Sequence, residues 1–201
     1  MACYRIKVYV ITDAATSYVL QVLIYTGKHT YFESLDESMT KTVQVVKSLC
    51  EPFAGSHQAI YIDCFYTSTN LLKELEKMNL YMTGTCMKNQ IRAELCIAKT
   101  LTIFKTMAWG DYKKHQLKYK DSNGEYKFAG LVCWHDLDIV YCLTNDCNNK
   151  DSNKCHHRSK DGIIQITQPR VISEYNKYMG GVDVADMRRL HCNLTIMGQN
   201  C

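Results

Sequence analysis

The chain has 201 residues, 46% of them hydrophobic, with 24 Lys and Arg against 20 Asp and Glu for a formal net charge of +4. That length holds one domain, or one domain and a small insertion, around a real core, and the apolar content with mixed charge excludes a disordered chain. Two prolines and ten glycines exclude collagen-like and low-complexity designs, while the modest positive charge permits a nucleic-acid partner without arguing for one.

Eleven cysteines, an odd number, fall below the density of a disulfide scaffold. No secretory signal opens the sequence. The longest apolar stretch near the N-terminus, Val8 to Tyr25, is broken by Asp13, Ser17 and Gln21 and is not a transmembrane helix. A reducing, intracellular compartment and no membrane partner are the expectation.

In chain order, Tyr4, Ile6, Val8 and Val10 alternate with Arg5, Lys7 and Tyr9, the period of a half-buried strand, and Asp13 sits just past its end. Ser17 to Tyr25 predicts a second strand, and Thr30 to Phe32 a short third one pairing back. Thr42 to Cys50 places Val43, Val46, Leu49 and Cys50 on one helical face, closed by Pro52 and Gly55. Ala59 to Ile62 is a short apolar strand ending in Asp63. Thr67 to Asn70 offer N-caps for a helix carrying Leu71, Leu75 and Met78, and Tyr81 to Thr85 predicts the next strand.

From Lys88 to Gln168 the pattern weakens. Phe128 to Trp134 and Ile139 to Thr144 are strand-like, Lys99 to Lys127 carries seven lysines against Asp111, Asp121 and Glu125, and polar Asn145 to Asp161 predicts a loop. After Pro169 a helical stretch bears Val171, Ile172 and Tyr175, and the Gly180-Gly181 pair separates it from Val182 onward. The expected division is residues 1–87, a partly β segment at 88–168, and a last helical region at 169–201.

The order strand, strand, strand, helix, strand, helix, strand is that of a ribonuclease H-like α/β domain, a mixed five-stranded sheet flanked by helices. In such a domain the first and fourth strands lie side by side, about 4.8 Å apart, so that Asp13 and Asp63 end neighbouring strands and share a divalent ion. A hard cation such as Mg²⁺ takes one or two carboxylates with water and phosphate oxygens, and a pair of ions can clamp both oxygens of a phosphoryl transfer. Gly180 to Asp186 supplies two further acids, Asp183 and Asp186, three residues apart on one side of a helix start. Each acid also fits a plainer role: Asp13 and Asp63 as strand-ending turn residues, Asp183 as an N-cap with Asp186 in the first helical turn.

The wording of two segments is more specific. Tyr61-Ile62-Asp63-Cys64-Phe65-Tyr66-Thr67-Ser68, followed by Leu71-Leu72 and Tyr81-Met82-Thr83-Gly84-Thr85, resembles the piggyBac transposase family, as does Tyr175-Asn176-Lys177-Tyr178-Met179-Gly180-Gly181-Val182-Asp183-Val184-Ala185-Asp186. The resemblance runs from about Lys7 to Leu190. It implies a ribonuclease H-like catalytic domain performing cut-and-paste DNA transposition, with Asp13, Asp63 and Asp183 as the Mg²⁺- or Mn²⁺-binding acids and Asp186 as a fourth acid near them. It further implies transposon-end DNA and a TTAA target as partners, a homodimer and a nuclear location. Cys64 stands where the family has Asn, Met187 where it has Gln, and Cys86-Met87-Lys88-Asn89-Gln90 where it has Arg-x-Asn-Arg. Lacking the family's flanking regions, the sequence is expected to be a fragment or decayed copy, and a DNA-binding remnant without transposition activity is the alternative.

Two weaker signals remain. Cys142, Cys147, Cys155, His156 and His157, with Cys133 and His135, have zinc-ligand chemistry but no tight finger spacing, so free thiols are favoured over zinc. Lys88, Lys113, Lys114, Lys118 and Lys120, with Tyr112, Tyr119 and Tyr126 interleaved, either track a DNA backbone or form a solvated face. Trp109 and Trp134 fit core packing better than base stacking.

Overall fold

The computed structural model describes residues 7–27, 30, 39–87, 107–121, 124–146, 152–159 and 162–191, with the side chains of 157–159 excepted. The third strand expected at 30–32 lies outside the described residues apart from Thr30, as do Lys88 and Cys147.

Strands β1 (Lys7–Thr12) and β2 (Val19–Tyr25) form an antiparallel hairpin with Tyr9 opposite Leu23 and Val10 opposite Val22. Its inner face, carrying Tyr9, Ile11 and Leu23, packs on Val45 and Leu49 of helix α1 (Lys41–Cys50). The opposite stripe of α1, Val43, Val46 and Cys50, enters the main core. One helix thereby joins hairpin and body, as its i, i+3, i+4 apolar spacing allows.

Strand β3 (Ala59–Ile62) leads into helix α2 (Thr69–Lys77), where the Ser68 hydroxyl accepts the Leu71 amide proton at 3.1 Å and caps the helix. Leu71, Leu72 and Leu75 are fully buried against Ile62, Met82, Ala129 and Leu143. Strand β4 (Tyr81–Thr85) returns parallel to β3, Ile62 opposite Gly84. Next in the sheet come β7 (Ile139–Thr144), β6 (Tyr126–His135) and β5 (Tyr112–Lys120), all antiparallel, giving the order β3-β4-β7-β6-β5.

The sheet is therefore mixed and five-stranded, in an α/β arrangement, but its membership differs from the expected one. Among the described residues β1 pairs only with β2, in a separate two-stranded sheet, and docks on the body through side chains. The segment after residue 88 supplies three of the five strands and extends the sheet beyond β4. Strand β5 was hidden in the lysine-rich stretch because its inward positions include polar Lys113 and His115 as well as Leu117 and Tyr119.

The polar stretch expected to be a loop contains strand β8 (Ser152–Ser159), paired with β9 (Gly162–Pro169) from Ser152 opposite Pro169 to Ser159 opposite Gly162. That expectation is corrected. Among its described side chains the hairpin is largely exposed and seats Cys155, Ile166, Gln168 and Pro169 against the body, so its sequence needs no regular apolar alternation. Helices α3 (Arg170–Tyr178) and α4 (Gly181–His191) follow. Val171 and Ile172 of α3 cover Val132, Trp134 and Cys142, and Trp134 donates its indole N–H to the Thr167 carbonyl at 2.8 Å. Helices α1 and α2 thus cover one face of the sheet, and α3 with β8–β9 covers the other.

Lys47 and Lys77 both bind the Glu74 carboxylate, tying α1 to α2. Burial acts to raise the Glu74 pKa, but the Lys77 and Lys47 ammoniums outweigh it and hold the carboxyl below its ordinary 4.5. A depressed carboxyl stabilises the fold above its unfolded pKa and loses that stabilisation as pH falls through the folded value. Glu74→Gln is expected to cost about 1 kcal/mol at neutral pH, with the deficit shrinking to nothing below the carboxyl's folded pKa. Thermal melts of both chains across the acid range check this.

Candidate active site

Asp13 and Asp63 sit immediately past β1 and β3, where backbone ladders end and side chains are free to serve other groups. The Asp13 carboxylate closes its own turn, accepting the Ala15 amide at 3.2 Å and the Thr16 hydroxyl at 2.6 Å. The Thr16 hydroxyl, and then the Ala15 amide, hold its pKa below the ordinary carboxylate value. Asp13 is therefore a committed anion at neutral pH. Asp63 makes a similar local turn: its Oδ1 accepts the Cys64 amide, and its carbonyl accepts the Tyr66 and Thr67 amides at 3.1 Å.

Two glycines let these acid-bearing turns seat. Thr67, fully buried, donates its hydroxyl to the Asp63 carbonyl at 2.9 Å and lies against Gly84 of β4. A Cβ on Gly84 would overlap Thr67 Oγ1 and come within 2.8 Å of the Ile62 carbonyl oxygen. Gly181, at the start of α4, lies against the end of β1, where a Cβ would meet Thr12 Oγ1 at 2.5 Å and the Asp13 carbonyl oxygen at 3.6 Å. Arg188 completes the junction by donating to the Thr16 carbonyl at 2.8 Å.

Gly181→Ala is expected to cost about 1–2 kcal/mol through this overlap. Its nearest neighbour is a side-chain oxygen, so Thr12→Ala in the same chain should recover most of the loss. A double-mutant cycle on melting curves measures that coupling.

Asp183, in the first turn of α4, and Asp63 line one cavity of about 330 Å³, bounded by β1, α1 and β3. Asp13 lines an adjoining space of about 670 Å³. Val10, Ile11, Ile60, Tyr61, Met179 and Val182 border both. The facing edges of β1 and β3 therefore stand on either side of a gap, with an acid at the end of each strand. Asp186 lies outside both linings and pairs with Arg189 at 2.8 Å.

Among the described residues no three His, Cys, Asp or Glu side chains lie close enough together to hold a metal ion. The donor chemistry nonetheless suits a hard cation, with Asp63 and Asp183 on one cavity and anionic Asp13 on the next. A roomier cleft of about 860 Å³ between α2 and the β5–β6 hairpin contains acids already engaged, Glu74 by two lysines and Glu76 by the Tyr119 hydroxyl.

Tyr61 is a site residue that its strand's alternation does not single out. It borders both cavities and packs its ring 5.2 Å from that of Tyr178. Burial, followed by the charges of Glu174, Tyr178 and Asp146, pushes its phenol up to about 12, so it keeps its proton at neutral pH. Its membership in the Tyr61-to-Ser68 motif is the only signal the sequence offers.

The zinc candidates do not form a described site. Cys142 is fully buried under α3 and Cys133 is buried on the opposite sheet face; burial pushes each thiol up to about 12. His135 bonds the Met107 carbonyl through Nδ1 at 2.7 Å. Cys147 and the His157 side chain lie outside the described residues. No helix among the described residues is long and apolar enough to cross a membrane.

The family model described as Transposase IS4 matches residues 1–199. The human PiggyBac transposable element-derived protein 3 is 28% identical over 176 residues, covering 81% of this chain and 26% of that protein. The human Chimeric ERCC6-PGBD3 protein is likewise 28% identical over 176 residues, covering 81% of this chain and 15% of its own length. The chain thus spans about a quarter or less of the curated relatives it matches. No solved structure matches it. With its acid-bearing turns seated by the two motif glycines and the family model matched almost end to end, the chain belongs to the IS4 transposase family and is related to the piggyBac-type proteins.

Proposed function

We propose that this chain is a ribonuclease H-like catalytic domain of a piggyBac-type transposase, acting in Mg²⁺- or Mn²⁺-dependent DNA strand cleavage and transfer at TTAA sites. The observation that carries this reading is the meeting of Asp63 and Asp183, from distant parts of the sequence, on one cavity beside the Asp13 turn. Asp13, Asp63 and Asp183 are the residues that would hold the metal, whose chemistry when bound is to stabilise charge on phosphate oxygens and acidify water.

The chain's own residues do the rest. The Thr16 hydroxyl and Ala15 amide bind the Asp13 carboxylate, hold its pKa below the ordinary value and fix its turn. Gly84 and Gly181 let the Asp63 turn and α4 approach closely, and Arg188 pins α4 to the Asp13 turn. Tyr61 offers a protonated phenol at the border of the two spaces. In the reaction this reading implies, water breaks one phosphodiester and leaves a 3′-hydroxyl. That hydroxyl attacks a phosphodiester of the other strand, displacing that strand's 3′-oxygen and closing a hairpin, which a second water opens to free the 3′-hydroxyl again. In the target DNA it displaces a target 3′-oxygen in the same way. The chain acts as a homodimer on transposon ends in the nucleus.

A second reading, a transposon-derived DNA-binding remnant, is favoured by one observation: no three-acid group is gathered among the described residues. Incubation of the purified chain with a TTAA-bearing supercoiled plasmid and Mg²⁺ or Mn²⁺ separates the two. Metal-dependent nicking is the expected result, and DNA binding without nicking establishes the remnant.

A further inference from the structure

Strands β5 and β6 pair along their whole length, which puts Lys114, Gln116, Lys118 and Lys120 on the outer sheet face opposite Val132, Gly130, Phe128 and Tyr126. Part of that face is covered, since Val132 and Trp134 pack under α3 and β9. The other end is open: Phe128 is 43% and Tyr126 55% exposed, and all three lysines are exposed. Lys113, His115 and Tyr119 point the other way, with the Tyr119 hydroxyl on Glu76.

Because β5 is an edge strand, lysines along it guard against pairing with other chains. That role does not call for an exposed phenylalanine among them. Lys118 places its ammonium 3.7 Å from the centroid of the Tyr126 ring, and Lys120 lies 5.3 Å from the same centroid. Among the described residues no cation stands over Phe128, which lies directly opposite Lys118 in register. Tyr126 thus holds two charges beside an open aromatic ring. Cross-strand neighbours are about 5 Å apart, the scale on which a nucleotide carries a flat base and a charged phosphate.

We infer that this open face of β5–β6 binds an unpaired nucleic-acid strand, a base stacking on Phe128 and the phosphates meeting Lys114, Lys118 and Lys120. The inference rests on the DNA-handling reading above and names the form of DNA taken at this face. A flat sheet face stacks bases that are splayed from a duplex and cannot reach those inside one. Stacking is sequence-tolerant, so this face adds affinity for unpaired DNA without adding specificity.

The test is fluorescence anisotropy, in chelator, with a labelled mixed-sequence single strand of about 12 nucleotides and the corresponding duplex. Phe128→Ala is expected to weaken single-strand binding at least about fivefold while moving duplex binding less than about twofold, and Phe128→Tyr is expected to retain it. Lys118→Gln with Lys120→Gln should reduce the single-strand salt slope by about 1.4. Circular dichroism establishes that each variant is folded. Single-strand affinity unchanged in folded Phe128→Ala, or lost equally for single strand and duplex, overturns the inference. Asp63→Asn separates this from the catalytic reading: it leaves single-strand binding intact whether or not the chain cleaves DNA.

Discussion

Gly84→Ala is expected to lower the melting temperature by about 4–12 °C and to remove metal-dependent cleavage with it. The added methyl would overlap Thr67 Oγ1 and press within 2.8 Å of the Ile62 carbonyl. Thr67 is fully buried and bonds the Asp63 carbonyl, so it has no free direction in which to retreat. Overpacking of this kind costs about 2–3 kcal/mol, and each kcal/mol moves the midpoint of a domain this size by about 2–4 °C. Unlike the Gly181 case, half of the conflict is with backbone, so Thr67→Ala should rescue Gly84→Ala only partly. A midpoint within about 1 °C of wild type would show that β3 and β4 are free to separate.

Asp63→Asn and Asp183→Asn are each expected to reduce strand cleavage by about a hundredfold to ten-thousandfold while leaving the fold intact. Both residues are exposed and line the same cavity, so exchanging carboxylate for amide removes a charge without leaving a core void. Loss of a metal-holding acid forfeits several kcal/mol of transition-state stabilisation, and each 1.36 kcal/mol is tenfold in rate. Asp186→Asn should have a far smaller effect, since Asp186 faces Arg189 away from that cavity. Equal losses in Asp183→Asn and Asp186→Asn would place the reaction elsewhere on α4.

The sequence is most legible where a local period governs burial. The apolar stripe of α1, the Leu71 and Leu75 spacing of α2, the alternation of β1 and the short apolar run of β3 each predict the observed element, although β1 turns Tyr9 and Ile11 inward rather than Val8 and Val10. Strands β5 and β8 escape that reading because polar residues fill positions that alternation reserves for apolar ones. His115 and Lys113 face inward on β5, and among its described side chains β8 buries little beyond Cys155. Sheet membership is less legible still. A strand's pattern shows that it has an inner face but not which edge it pairs with, so β1 beside β3 was an expectation drawn from topology. The structure instead leaves a cavity between their edges.

The acids were legible by position and motif, whereas the devices that seat them were only half so. Gly84 and Gly181 are visible as letters of the motifs. The reason for them appears only when Thr67 and Thr12 come within contact distance. Tyr61 and Arg188 owe their places to tertiary packing, with no local pattern that singles them out.

The claim that Asp13, Asp63 and Asp183 serve one metal-dependent DNA site is tested most directly by isothermal titration of Mn²⁺ into the purified chain, with and without TTAA-bearing DNA, wild type beside Asp63→Asn. The account predicts binding by the wild type, strengthened by DNA, that disappears in Asp63→Asn. A folded wild-type chain that takes up no metal even with DNA present, or an Asp63→Asn chain that binds it equally well, would contradict the account.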